Sequence, residues 1–270
     1  MMKLKFLLKL LFFKIFFINL SFAESLFLPI QIPILDENKV KLGEKIFFDT
    51  NLNEAKISCN NCHNLYFNKS GTSVKNNAPT ILNVALSTIF EYKNINIDLF
   101  ERTKKSLFSE KELNVKKDEF INLIKKNSFY KKEFAKIYND KITLNNVVDA
   151  LSEFEKSLVT PNSKFDKFLK KEISLNQNEL NGFYIFLNSG CVTCHNGVNL
   201  GSNSFVFSNK KNKFIKVPTL RNITKTAPYF NNDRNLTRTV LAISKEQGVE
   251  INSEQAGYLS EFLKTLDGEI

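Results

Sequence analysis

A chain of 270 residues with 43% hydrophobic residues holds enough apolar material for one large or two small packed domains, which excludes a disordered chain. Its formal net charge is +10, and four of its lysines (Lys3, Lys5, Lys9, Lys14) fall in the first 23 residues. The remaining lysines are mixed with Asp and Glu rather than gathered on one basic face, so a nucleic-acid partner is set aside and a solvated surface is the expectation.

In chain order, the first element is a leader. A basic start runs into the apolar stretch 15–20 and then Ser21-Phe22-Ala23, whose small residues predict cleavage after Ala23 and export to the periplasm. The apolar stretch is too short to span a bilayer, which takes roughly 20 residues. Helical spacing of apolar residues then predicts a helix over 39–49 leading into Cys59-Asn60-Asn61-Cys62-His63. Residues 69–78 lack periodicity and read as a loop. Phe120, Leu123, Ile124, Phe134 and Ile137 predict two short helices within 117–138. Thr143 is placed to cap a helix over 144–158 with Val147, Val148, Leu151 and Phe154 on its core face, and Pro161 opens the link to the second unit. A helix over 179–187 leads into Cys191-Val192-Thr193-Cys194-His195. Residues 202–216 read as an irregular loop, and Ser253 is placed to cap a last helix over 254–266 closed by Gly268. The expected fold class is mainly α, with two tandem cytochrome c-like haem domains: a leader over 1–23, an N-terminal unit over 24–160 and a C-terminal unit over 161–270.

The haem expectation comes from the cysteines. The chain has four Cys, in two Cys-x-x-Cys pairs, and two His, each directly after a pair. In c-type attachment two thiols bond to the haem vinyl groups and the adjacent imidazole reaches the iron. One helical turn sets both sulfurs beneath a single porphyrin edge, and the next residue points toward its centre. A zinc site from the two pairs would have to bring together knuckles 128 residues apart and would use neither His. A thiol redox pair leaves the His unexplained as well. Two covalently bound c-type haems are therefore expected, on Cys59, Cys62 and His63 and on Cys191, Cys194 and His195.

The two units repeat their surroundings. Gly43-Glu44-Lys45-Ile46-Phe47 precedes the first and Gly182-Phe183-Tyr184-Ile185-Phe186 the second, and Asn64 and Asn196 follow the two His. Farther on come Pro79-Thr80-Ile81-Leu82-Asn83-Val84 and Pro218-Thr219-Leu220-Arg221-Asn222-Ile223.

Over 41–267 the chain resembles the bacterial di-haem cytochrome c peroxidases, including the MauG-type proteins. The resemblance rests on both haem motifs, on Leu42-Gly43-Glu44-Lys45-Ile46-Phe47-Phe48-Asp49 and on Ala78-Pro79-Thr80-Ile81-Leu82-Asn83-Val84. Thr160-Pro161-Asn162-Ser163-Lys164-Phe165-Asp166, Lys216-Val217-Pro218-Thr219-Leu220-Arg221-Asn222, Thr226-Ala227-Pro228-Tyr229-Phe230 and Phe262-Leu263-Lys264-Thr265-Leu266 extend it. It implies reduction of hydrogen peroxide to water with electrons from a small cytochrome c. The electrons enter at the C-terminal haem and pass to the N-terminal haem. It implies Glu112 as the acid–base residue. Ten residues earlier, where the family often has Gln, this chain has Arg102, a cation placed to stabilise developing charge or to face solvent. In place of the family's inter-haem Trp, which this chain lacks, Tyr92 is the aromatic candidate or else a core aromatic. Asn77, Thr226 and Pro228 align with a calcium site, and a homodimer is the usual assembly of such relatives. A MauG-like oxidase acting on a protein and a non-enzymatic di-haem electron carrier are the alternatives.

The chain also departs from that pattern. With only His63 and His195 present, no second His can cover the N-terminal haem, which is expected to be five-coordinate or to hold water. The only Met residues are Met1 and Met2, so the axial Met of the C-terminal haem is missing and its place falls at Ala242 or Ile243. Tyr229 and Tyr258 are the candidate replacements.

Overall fold

The computed structural model describes residues 26–66, 71–72, 78–93, 95–209 and 211–270. The leader and most of 69–78 lie outside the described residues, as does Asn77.

Helix α1 spans Glu37–Phe48; the Asp36 side chain accepts from the Asn38 and Lys39 N–H groups and so satisfies two donors that the helix leaves open. It buries Leu42, Gly43, Ile46 and Phe47. A one-turn helix α2, Cys59–Cys62, carries the first motif, and α3 spans Leu99–Phe108 behind an Asp98 cap. The two short helices expected within 117–138 are α4, Lys117–Lys126, and α5, Ser128–Tyr138. They part at Asn127, whose side chain accepts from Phe129 and Tyr130 N–H. Helix α6, Leu144–Ser157, is capped by Thr143 and buries Val147, Val148, Leu151 and Phe154 as the sequence pattern predicts. Helix α7, Lys164–Leu169, opens on a Ser163 and Asp166 capping box, and α8, Gln177–Asn188, on an Asn176 and Glu179 box.

Three elements differ from expectation. The stretch 202–216 is not irregular: β1, Phe205–Ser208, pairs antiparallel with β2, Lys213–Lys216, in the register Phe205 opposite Lys216. Alternating aromatic and β-branched residues in both arms favour that pairing. A further helix α9 spans Leu236–Glu246. The last helix, α10, Ser253–Lys264, is capped by Asn252 rather than Ser253. With Asn252 as cap the third helical residue is Gln255, which returns a bond to the Asn252 N–H at 3.0 Å; with Ser253 it would be Ala256, which has nothing to return.

The helices build two apolar clusters. One gathers residues of α1, α3, α4, α5 and α6 around Phe47, Phe120, Phe134 and Leu151. The other gathers Phe165, Phe183, Phe186, Leu259 and Phe262, with ring centroids 5.2 Å apart between Phe165 and Phe262. Each such buried ring contributes roughly 1.5–3 kcal/mol. Phe27 also belongs to the second cluster, so this stretch of the first predicted unit is built into the second core.

The sequence repeat has a direct structural counterpart. A Cβ added at Gly43 would lie 1.9 Å from the Ala150 carbonyl oxygen of α6, and one at Gly182 would lie 2.0 Å from the Tyr258 carbonyl oxygen of α10. In both units the glycine lets two helix backbones cross in contact. Gly43→Ala is expected to lower stability by about 1–3 kcal/mol, because α1 must be pushed off α6. Urea unfolding checks this, and a variant as stable as the parent would contradict the close crossing.

Asn83 and Asn222, equivalent in the repeat, are both fully buried in the left-handed region at φ 59° and 58°. Both side-chain amides donate to the one Thr160 hydroxyl, at 2.8 and 2.7 Å. Thr160 therefore sits where the two halves meet.

Candidate active site

Both Cys-x-x-Cys-His units fold locally into a single turn. In the first, the Asn61 amide oxygen accepts from the Ser58 N–H at 2.8 Å and the His63 N–H returns to the Cys59 carbonyl at 2.9 Å. In the second, Gly190 at φ 85° starts a 3-10 turn and the His195 N–H returns to the Cys191 carbonyl at 3.0 Å. Cys59 packs against the first cluster and Cys191 against the second, so the two pairs do not come together. Among the described residues no three His, Cys, Asp or Glu side chains gather to hold a metal.

The imidazoles are oriented by backbone. His63 Nδ1 lies 3.1 Å from the Pro79 carbonyl oxygen and 3.3 Å from that of Gly71; His195 Nδ1 lies 3.1 Å from the Leu200 carbonyl oxygen. A carbonyl only accepts, so in each ring Nδ1 carries the proton and Nε2 keeps its lone pair. Burial lowers the pKa of both rings, more than their carbonyl partners raise it, and holds them neutral. A neutral imidazole with a fixed tautomer is the form that ligates iron.

The thiols complete the fit. None of the four cysteines forms a disulfide. Burial, followed by the nearby Glu155, pushes Cys59 up to about 12, and burial raises Cys191 too. The Cys59 and Cys191 thiols, held protonated by burial, are ill suited to redox exchange, which needs the thiolate. These residues fit covalent haem: two sulfurs outside any disulfide, one turn apart, with a neutral, backbone-oriented imidazole after them.

Around the first unit the fold gathers charged groups. Arg102 on α3 places Nη2 3.0 and 3.1 Å from the two carboxylate oxygens of Glu112, which lies in the turn after that helix. Both act electrostatically on His63. They line a cavity of about 480 Å³ with Glu91, Glu101, Lys105 and Phe108. Glu112 is a half-buried carboxylate and one arm of an ion pair whose two charges act on His63. From the other half, Lys216 donates to the Ile89 carbonyl at 3.2 Å and lies 5.3 Å from the Phe90 ring centre. Burial and then the Arg102 charge lower Lys216 to about 8.

Sequence patterns did not single out Glu155. Its signal is that it continues the stripe Val147, Leu151, Glu155 at four-residue spacing, placing a carboxyl on the core face of α6. Thr103 Oγ1 is its only hydrogen-bonding partner among the described residues, at 2.5 Å, and burial raises its pKa to about 7 against the pull of Thr103 and Arg102. Between the ordinary value of 4.5 and about 7 the folded form binds more protons than the unfolded form, so stability falls as pH rises through that window. Glu155→Gln removes the effect. The variant is expected to gain up to about 3 kcal/mol over the parent at pH 8 and nothing at pH 4, as urea unfolding at both values will show.

Tyr92 is 51% exposed and sits at the junction of the halves, stacked on Phe214 with centroids 4.6 Å apart and edge-on to Phe205 at 5.2 Å. The Tyr258 hydroxyl donates to Glu254 at 3.1 Å. The partly buried Tyr229 carries no comparable hydroxyl bond among the described residues, and burial raises its pKa. Ala242 and Ile243 lie on α9. Thr226 donates to the Ile223 carbonyl at 3.1 Å and Pro228 follows in the same turn region. A short chain of contacts joins the two imidazoles: His63 to the Pro79 carbonyl, the 79–83 backbone, Asn199 Nδ2 to the Asn83 carbonyl at 3.3 Å, and the Leu200 carbonyl to His195.

Known proteins resemble this chain in sequence and in fold. The family model for di-haem cytochrome c peroxidase matches residues 37–174. The chain is 33% identical over 266 residues to the cytochrome c551 peroxidase of Nitrosomonas europaea, covering 85% of this chain and 80% of that protein. It is 27% identical over 296 residues to the cytochrome c551 peroxidase of Pseudomonas aeruginosa, covering 92% and 86%. A MauG-like protein associated with microbial copper homeostasis superimposes with a TM-score of 0.77 at 19% identity, over 89% of this chain and 93% of that one; at this identity the likeness concerns the fold.

Proposed function

This chain belongs to the di-haem cytochrome c peroxidase family, and from that premise we propose that it is a periplasmic enzyme reducing hydrogen peroxide to water with electrons from a small cytochrome c. The observation that carries the reading is an Arg102–Glu112 pair whose charges act on a neutral His63, with Nε2 of that imidazole left for iron.

In this reading Cys59 and Cys62 tether one haem and His63 ligates it; Cys191, Cys194 and His195 do the same for the second. Each haem, once bound, supplies the iron that exchanges electrons. A haem held by His195 would receive electrons and one held by His63 would pass them to peroxide, with Tyr92 at the junction of the two halves. Glu112 takes the proton from the near oxygen of peroxide and returns it to the far oxygen. Arg102 holds the Glu112 carboxylate in place and offsets negative charge that develops there. With no second His in the chain, the His63 site stays open to peroxide. Calcium held through Asn77, Thr226 and Pro228 belongs to the same proposal, as does cleavage of the leader after Ala23.

A test uses mature protein made in a cell that attaches c-type haem, assayed with peroxide and reduced cytochrome c. Rapid oxidation of the cytochrome is the expected result, and no peroxide-dependent oxidation overturns the reading. Glu112→Gln is expected to lower turnover by about 100-fold with the haem content unchanged. A MauG-like oxidase is the second reading: the axial Met is missing, and the partly buried Tyr229, whose hydroxyl is not engaged as that of Tyr258 is among the described residues, becomes the candidate replacement. Persistence of oxidised iron after peroxide without cytochrome oxidation would select it.

A further inference from the structure

We propose that Glu155 stands in the folded protein as an uncharged carboxylic acid and is the positioning residue for the Arg102–Glu112 pair. The inference deepens the peroxidase reading and rests on it for the role of Glu112.

The first ground is the count of hydrogen-bonding protons. Thr103 Oγ1 lies 2.5 Å from Glu155 Oε2 and 2.8 Å from the Leu99 carbonyl oxygen. The hydroxyl has one proton, and the Leu99 carbonyl can only accept. If Glu155 is protonated, it donates to Thr103 and Thr103 donates to Leu99, so every group is satisfied. If Glu155 is ionised, a buried carboxylate is left with the single Thr103 proton as its only donor among the described residues, while the Leu99 carbonyl keeps its helical N–H partner and does not need the hydroxyl. Burial, which favours the neutral form, points the same way.

The second ground is the sharing of one guanidinium. Arg102, the neighbour of Thr103 on α3, bonds both oxygens of Glu112 through Nη2 and also acts on Glu155. The charged and titratable groups facing Glu155 are Arg102 from α3 and the Cys59 thiol from α2. While Glu155 is neutral, Arg102 is committed to Glu112. Once Glu155 ionises it draws on the same guanidinium, and Glu112 loses the partner that aims it at the site.

Infrared spectroscopy of the wild-type holoprotein, titrated from about pH 5 to about pH 9, tests this without peroxide present. The expected result is a protonated-carboxyl stretching band that disappears with a midpoint near neutral pH. That band should be missing in Glu155→Gln and shifted to higher frequency in Thr103→Val, which removes the acceptor. Peroxide turnover of the wild type should decline through the same midpoint, and Glu155→Gln should lack that alkaline decline. A wild type with no such band, or a Glu155→Gln variant that keeps the decline, overturns the proposal. A band that titrates in a protein without peroxide turnover would count against the peroxidase reading and in favour of the protonated Glu155.

Discussion

Mature protein in which Cys59 and Cys62 are both alanine is expected to carry one haem instead of two and to show no peroxide turnover. The reason lies in how α2 is built. One capped turn holds both thiols and aims His63, and the chain has no other cysteines except the distant pair at 191 and 194. An imidazole alone cannot retain the group against dilution as two carbon–sulfur bonds can. The same double change at Cys191 and Cys194 also removes one haem but leaves the Arg102–Glu112 pair and the His63 unit complete. It should therefore abolish electron delivery from cytochrome c while leaving a Soret band that still responds to peroxide. Intact mass and Soret absorbance per polypeptide read the haem content, and stopped-flow spectra read the peroxide response. Two haems remaining after either double change would refute covalent attachment at that motif.

Arg221→Met is expected to lower stability by about 3–5 kcal/mol, the usual cost of removing one partner of a buried ion pair. Arg221 is 1% exposed and Asp166 0% exposed, with Nη1 2.8 Å from Oδ1. The same guanidinium donates to the Val198 carbonyl at 3.1 Å and the Leu28 carbonyl at 3.2 Å, while Asp166 also accepts from the Ile30 N–H at 3.1 Å. One pair thus ties the N-terminal segment, the start of α7 and the loop after His195 together. The substitution strands the Asp166 charge in the core. At the size of this chain the loss corresponds to a Tm lower by about 10 °C. Arg221→Met combined with Asp166→Leu should recover a large part of it, because the stranded charge is gone. Calorimetry of the single and double variants checks this, and a double variant as unstable as the single one would mean that the lost packing, not the charge, carries the cost.

The elements that were legible in advance are those whose cause is local. Thr143 and the apolar spacing of 147, 148, 151 and 154 define α6 because a cap and a helical stripe lie within one segment. The repeated Gly43 and Gly182 marked equivalent helices because close backbone crossing admits no side chain at either place. The hairpin at 205–216 was not legible. Its arms are four residues each, too short for an alternation to stand out, and it takes its place through Tyr92 stacked on Phe214 from the other half. The cap of α10 was read one residue late, because Asn252 and Ser253 are both good caps and the reciprocal bond from Gln255 decides between them.

What the amino-acid order determined by itself is the chemistry written inside single turns: two thiols and an imidazole at each attachment motif, the helices around them, and a chain with no further His or usable Met. What only the tertiary structure decided is the state of the charges. Glu112 gains a partner ten residues back, the pKa of the Glu155 carboxyl is pushed up by burial beneath α3, Lys216 crosses from one half to the other, and Arg221 is sealed against Asp166. The physical reason is that covalent and capping geometry act over a few bonds. The ionisation of a side chain depends instead on solvent exclusion and on partners that folding brings from distant parts of the chain.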